Sequence, residues 1–318
     1  MFPFDDPRAL PTPYVWQDEK SDTLYFIDTV GYDPCLYEIE GPIEKVYTIK
    51  SQYQTVQIFN TIRFGRALAI DGTIQCAEKD EARYHEAFVH PAMILHMKPK
   101  NILICGGGDG ATLREVLKHP SVEKATLVDI DEEVIKVTQE RMTFLWAESH
   151  HDPRAHVSAG DAFAFLKSTD ERFDVIFSDI TDPTDEVSLP LYSKNYFNLI
   201  RARLAPGGIV VAQGAEISEV WQNPGRLLIW KLINSVFKTH RTAAYQTYVP
   251  SFREERSFCI ATTDPPSWFD ASHLPPWALQ KFDYLEGSFR FYSPEMHKAL
   301  FALPPVVEKI YERALRSR

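Results

Sequence analysis

The sequence predicts an α/β protein in which a small N-terminal antiparallel β-domain precedes a mostly parallel sheet covered by helices. Three observations lead there. Between about Tyr14 and Cys76, the segments VYTIKS, TVQIFNT and RALAIDGTIQC alternate apolar and polar residues and are rich in β-branched and aromatic types. Beyond residue 100, short continuous apolar runs are separated by helix-period segments, as βαβ units require. A glycine-rich turn, Gly106-Gly107-Gly108-Asp109-Gly110-Ala111, joins the first of these runs to a helix.

Taken in order, residues 1–13 carry Pro3, Pro7, Pro11 and Pro13 and are expected to form an irregular arm. Asp71-Gly72 has the composition of a tight hairpin turn. About 60 residues of hairpins are marginal alone, so the domain over residues 1–80 is expected to pack on its neighbour or on another subunit. DEARYHEAFVHPAMILHM (80–97) repeats its apolar positions at helical spacing, and Pro91 predicts a kink or a short second piece. Within the second domain, residues 81–318, strands are expected at NILICG (101–106), KATLVDI (124–130), HVSAG (156–160), DVIFSD (174–179) and GIVVAQG (208–214). Helices are expected at ATLREVLKH (111–119) and DEEVIKVTQERM (131–142). RTAAYQTYV (241–249) and RSFCIATT (256–263) are expected to close the sheet with a hairpin.

Composition narrows the function. Apolar residues at 44% and charged residues at 25% are ordinary globular values, which argues against whole-chain disorder. With 34 Lys+Arg against 44 Asp+Glu, the net charge of −10 argues against nucleic acid as a partner and suits solubility or cationic ligands. No run approaches the roughly 18–20 apolar residues that span a bilayer. MFPFDDPRALPTP lacks a basic region followed by an apolar one, so a cytoplasmic protein without membrane association is expected. Cys35, Cys76, Cys105 and Cys259 stand far apart, as reduced and mostly buried thiols do.

Written as G-x-G-x-x-A, the turn at 106–111 fits the nucleotide fingerprint of Rossmann-like folds. Asp129 lies where such folds place an acid for ribose hydroxyls. No GxxxxGK[ST] is present, which excludes a P-loop. Asp109 argues against NAD, because a carboxylate in the loop repels a pyrophosphate that would otherwise sit on the helix N-terminus. It attracts a cation instead, which points to a sulfonium nucleoside carrying an amine. Asp161, at the end of another strand, offers an acceptor to the adenine amino group. Gly106, Gly108, Asp109, Asp129 and Asp161 are therefore the candidate donor-binding residues. Asp179 and Asp182, three residues apart after DVIFSD, can converge on the same cleft, although turn chemistry alone also favours Asp-x-x-Asp-Pro.

Several motifs together resemble the spermidine synthase and polyamine aminopropyltransferase family. They are SQYQTVQI, FGRALAIDGTIQCAEKDEARYHE, GGGDGATLREVLKHPSVEKATLVDIDEEVI, DITDP and FYSPEMHKALFALP, in order from about residue 45 to 310. The resemblance implies a methyltransferase-type Rossmann-like domain, a homodimer or homotetramer, and decarboxylated S-adenosylmethionine as co-substrate without a prosthetic group. It implies donor-site roles for Gln54, Gln75, Asp109, Asp129 and Asp161. It also implies Tyr84 as the catalytic tyrosine, Asp179 as proton acceptor and Asp182 as a residue binding the polyamine. Gln213 and Tyr248 are candidate acceptor-pocket residues. A small-molecule methyltransferase of the same fold is the alternative, distinguished by the donor carboxylate that Asp109 should repel.

The chain departs from the family's usual text after DITDP, where Thr184–Tyr192 replaces a Gly-Pro-Ala type loop and adds Asp185 and Glu186. YVPSFREERSF (248–258) is closer to thermospermine-synthase text, so putrescine, agmatine and longer amines all stay open as acceptors. The reaction itself needs no metal, since its leaving group is a neutral thioether. His85-Glu86-Ala87-Phe88-Val89-His90 has one residue too many for HExxH, and i, i+5 spacing turns the imidazoles apart on a helix. His150-His151 is expected in a solvated loop. The Trp and Tyr residues are expected mostly in the core, with Tyr14, Trp16 and Trp230 as possible pocket linings.

Overall fold

The computed structural model describes residues 15–18, 20–28, 38–181, 189–214, 227–238, 242–263 and 270–316. They form two compact units. One comprises residues up to Glu81 together with Pro250–Arg253, the other Ala82–Val249 with the residues from Glu254 onward.

In the first unit, six strands hydrogen-bond in chain order, every pair antiparallel: β1 (Val15–Asp18), β2 (Thr23–Asp28), β3 (Glu38–Lys50), β4 (Thr55–Thr61), β5 (Gly65–Ile70) and β6 (Thr73–Ala77). Asp71 and Gly72 link β5 to β6 with φ of 47° and 81°, the left-handed pair whose twist matches a two-residue hairpin. Asp71 Oδ1 also accepts the Thr55 N–H at 2.8 Å, which ties the turn to β4. Phe26, Ile43, Phe59, Phe64 and Ile74 form the core, with Phe26 stacked on Phe59 at 4.5 Å. Sequence alternation does not make β4 half-exposed, since Val56, Gln57, Ile58 and Phe59 are all buried. The segment 250–253 joins this unit through polar bonds and through Phe252, which packs on its core. The Ser251 N–H donates to Asp80 Oδ2 at 2.6 Å, and Arg253 pairs with Glu40 at 2.6 Å.

The second unit carries a seven-stranded sheet with strands β7 (Asn101–Gly106), β8 (Lys124–Asp129), β9 (Ala155–Ala159), β10 (Phe173–Asp179), β11 (Leu204–Gly214), β12 (Thr242–Val249) and β13 (Glu254–Thr262). Its order is β12-β13-β11-β10-β7-β8-β9, parallel from β11 to β9, with the β12–β13 hairpin antiparallel at one edge. The described helices are α1 (Glu81–Leu95), α2 (Ala111–Leu117), α3 (Glu132–Arg141), α4 (Thr143–Trp146), α5 (Ala162–Ser168), α6 (Lys194–Arg203), α7 (Leu228–Phe237), α8 (Pro276–Tyr284), α9 (Pro294–Phe301) and α10 (Pro305–Arg316). Both sheet faces are covered, which is why the strands read as continuous apolar runs. On one face Leu103, Cys105, Ile176 and Val210 pack with Leu166, Tyr196, Ile233 and Tyr311. On the other, Phe88 of α1 lies 5.3 Å from Phe177 and 5.5 Å from Phe258, ring to ring. The chain runs outward from β7 to β8 and β9, then returns to β10 on the other side of β7. The carboxyl ends of β7 and β10 thereby flank a topological switch point, where open α/β sheets bind ligands.

Two expectations are corrected here. Pro91 does not split its helix into a second piece: α1 is continuous through it to Leu95. The bond lost at Pro91 is outweighed by burial of Ala87, Phe88, Val89, Ala92, Met93 and Ile94 around it. The Lys281 ammonium then caps the helix by donating to Met93 O at 3.0 Å. Trp230 belongs to the core. It is buried in α7 and donates its indole N–H to Tyr311 O at 3.2 Å. Tyr14 and the Trp16 side chain lie outside the described residues. Cys76, Cys105 and Cys259 are buried and unbridged, while Cys35 lies outside the described residues.

Glu86, fully buried in α1, accepts the backbone N–H groups of Arg290, Phe291 and Tyr292 at 2.7–2.8 Å. A neutral amide there would face three donors with one oxygen. Glu86→Gln is expected to lower unfolding free energy by about 2 kcal/mol, measured by urea titration. An unchanged midpoint and slope would show that these bonds contribute nothing net.

Candidate active site

Three elements converge on Asp179, the last residue of β10. Its backbone pairs with Gly106 across the β7–β10 ladder, and its carbonyl accepts the Gly107 N–H at 2.9 Å. Gly106 has φ +83°, and an added Cβ would lie 2.0 Å from that carbonyl oxygen, so strand and turn meet only because no side chain intervenes. The carboxylate is held from two sides: Tyr84 of α1 donates to Oδ1 at 2.9 Å, and Thr112 of α2 donates to Oδ2 at 2.6 Å. Phe88 and Phe258 pack against the Tyr84 ring at 5.8 and 5.4 Å and fix its direction.

The acids follow the sheet order. Asp109 lies in the turn after β7 and accepts the Ala111 N–H at 2.9 Å, with its other oxygen 3.5 Å from His85 Nε2. Asp129 ends β8 and accepts the Gly108 and Asp131 N–H groups, both at 2.9 Å. A Cβ on Gly108 would come within 2.7 Å of that carboxyl carbon, so the turn closes on Asp129 only with glycine. Asp161 follows β9 and caps α5 by accepting the Phe163 N–H at 2.7 Å, with its side chain exposed. Gln213, the penultimate residue of β11, is buried and donates to Ile180 O at 2.6 Å.

Burial governs the protonation of this group. It raises the Asp179 carboxyl above the ordinary range, and the neighbouring Asp109 adds to the effect. His85 and the hydroxyls of Thr112 and Tyr84 oppose it. Burial, reinforced by Asp179, raises the Tyr84 phenol well above its usual value and keeps it a donor. Burial pushes Asp129 up to about 6 against the pull of its two N–H donors.

The structure therefore brings Tyr84, Gly106, Gly108, Asp109, Asp129 and Asp179 together, with Asp161 and Gln213 at adjacent strand ends. Gln54 and Gln75 belong to the first unit. Gln54 closes the β3–β4 turn through its N–H to Ser51 Oγ at 3.0 Å, and the Gln75 amide donates to Thr73 O at 3.3 Å. Asp182, Asp185 and Glu186 lie outside the described residues. Tyr245 pairs with Phe258 and Tyr248 with Glu255, so the pleat sends Tyr248 to the face opposite Phe258 and Tyr84, where it is 45% exposed. Sequence motifs missed two contributors. Thr112 follows the glycine turn by two residues and was legible only as helix. His85 neighbours Tyr84, and in the sequence it stands out only as half of a false metal motif. It faces Asp109, whereas His90 faces Glu115 at 2.9 Å and His119 at 3.0 Å.

A family model described as the spermine/spermidine synthase domain matches residues 81–269, more than half of the chain. The chain belongs to that family. A second model, described as the spermidine synthase tetramerisation domain, matches residues 37–78. The polyamine aminopropyltransferase of Aeropyrum pernix is 41% identical over 221 residues, covering 69% of this chain and 69% of its own. The spermidine synthase of Schizosaccharomyces pombe is 37% identical over 86% of this chain and 90% of its own. A crystal structure of spermidine synthase in complex with the transition state analogue AdoDATO superposes with a TM-score of 0.81 at 29% identity. It covers 91% of this chain and 95% of that one. Membership makes the chain an enzyme of the aminopropyltransferase class.

The raised Asp129 value predicts a pH effect with a definite sign. An unfolded Asp titrates near 3.9, so between about pH 4 and 6 the folded chain holds this proton more tightly and loses stability as pH rises. Relative to Asp129→Asn, the native chain should lose up to about 3 kcal/mol across that window and change little above pH 7. Urea titrations at pH 4 and 7 giving the same difference would reject a raised value.

Proposed function

We propose that the protein transfers the aminopropyl group of decarboxylated S-adenosylmethionine to the primary amine of a polyamine, putrescine or a longer one, releasing methylthioadenosine. The observation that supports the residue roles is the Asp179 carboxylate gripped by Tyr84 and Thr112 beside an acid-bearing glycine turn. The amine nitrogen attacks the propyl carbon next to the sulfonium. The carbon–nitrogen bond forms as the carbon–sulfur bond breaks, and the sulfur keeps the electron pair as a neutral thioether.

A primary amine has a reference pKa near 10.4, so it arrives protonated and must lose that proton to attack. Asp179 takes the proton. Its raised affinity for a proton makes it a stronger base than an ordinary carboxylate. Tyr84, locked in its protonated form, orients carboxylate and amine. Asp109 attracts the donor's own ammonium and disfavours a donor carboxylate, which separates this reading from methyl transfer. Asp129 takes the ribose hydroxyls, Asp161 the adenine amino group and Gln213 a place beside the acceptor. The family resemblance alone supports donor-side roles for Gln54 and Gln75 and an acceptor-binding role for Asp182. The tetramerisation match at 37–78 favours a homotetramer. Among the described residues, no helix is long and apolar enough to cross a membrane.

Purified enzyme given decarboxylated adenosylmethionine should release methylthioadenosine with at least one of putrescine, agmatine, cadaverine and spermidine. Release with none of them would end the proposal. Asp179→Asn is expected to lower kcat by about 10²–10⁴-fold in a chain that remains folded, as for loss of a general base. Tyr84→Phe, which keeps the packing and removes one hydroxyl, should cost about tenfold. A near-native rate in Asp179→Asn would move the base elsewhere.

A further inference from the structure

The geometry points to a second ligand site, unrelated to aminopropyl transfer: a surface site for a divalent transition-metal ion formed by Glu148, His150 and His151. One ligand atom from each of these residues lies within 4.8 Å of the others. Atoms bound to one zinc ion at about 2.0–2.2 Å must come closer than that, to roughly 3.5 Å. Two of the three side chains are free to close the gap, Glu148 being 80% and His151 70% exposed. His151 Nε2 already stands 3.6 Å from Glu148 Oε2.

His150 is the anchor. Its ring meets the buried Trp146 edge-on at 5.4 Å and lies against His151 at 3.9 Å. Its Nδ1 is shielded from solvent and finds no hydrogen-bond partner among the described residues. Trp146 is itself fixed, donating to Thr138 Oγ1 at 3.1 Å.

The backbone presents these groups in an unusual way. Ala147 and Glu148 are consecutive non-glycine residues with φ of +40° and +65°. The His151 N–H then closes the turn on Glu148 O at 2.9 Å, which sets Glu148 and His151 on one side. Two imidazoles and one carboxylate suit zinc, copper or nickel rather than magnesium or calcium, which prefer all-oxygen shells. Water would complete the coordination, because the site opens to solvent.

The test uses the full chain, stripped with chelator, and Zn²⁺ alone as probe. Calorimetry should show saturable binding of one ion, weakened at least about tenfold in His151→Ala and in Glu148→Gln. Both substitutions are at exposed positions and should leave aminopropyl transfer unchanged. Cu²⁺ should quench part of the tryptophan emission in the native chain, because His150 touches Trp146, and less of it in His151→Ala. Affinity for Zn²⁺ equal in the native chain and both variants, or no saturable binding below millimolar ion, would overturn the site.

Discussion

The contact between Asp179 and the glycine turn organises the second unit. One residue ends β10, accepts the Gly107 N–H through its carbonyl, and receives hydroxyls from α1 and α2 through its carboxylate. Removing any one of these partners would leave a carboxylate or a buried N–H short of a bond, and such deficits are costly in a low-dielectric interior. The same arrangement that closes the turn also places a carboxylate of raised proton affinity at the switch point of the sheet. Asp179 nevertheless retains partial exposure.

The acids around it are arranged by sheet order rather than by sequence. Asp179, Asp109, Asp129 and Asp161 follow β10, β7, β8 and β9, which are neighbours in that order. A sulfonium donor carries positive charge at its centre and at its amine, and a row of carboxylates is complementary to it. Carboxylates held close together also raise one another's proton affinity, as Asp109 does for Asp179. In the proposed reaction, the crowding that would attract the cation also strengthens the proposed base. His85, 3.5 Å from Asp109, tempers that crowding.

Much of this was legible from residues alone. NILICG, KATLVDI and DVIFSD read as buried strands because a sheet covered on both faces requires continuous apolar runs. Asp71-Gly72 read as a hairpin because few other pairs accept two positive φ values. Pro91 was misjudged because propensity is local, whereas the packing of Phe88 and Met93 that keeps α1 intact is not. The face that Tyr248 occupies was not legible, because a resemblance aligns text and cannot count pleats: one residue of register reverses the face a side chain occupies. Trp230 was ambiguous because an aromatic residue in a helix serves core and pocket equally well until its neighbours are known.

By itself the sequence determined the class of fold, the glycine turn with its cation-seeking Asp109, the row of strand-end acids and the family they resemble. These features are local in the chain, and each follows from the spacing of a few residues. Only the tertiary structure decided that Thr112 and Tyr84 grip opposite oxygens of one carboxylate, that His85 faces Asp109 while His90 faces Glu115, and that Glu148, His150 and His151 share one patch. Hydrogen bonds and charge interactions act over a few ångströms in space. The Tyr84–Asp179 pair spans 95 positions in the chain, a distance that no pattern of neighbouring residues encodes.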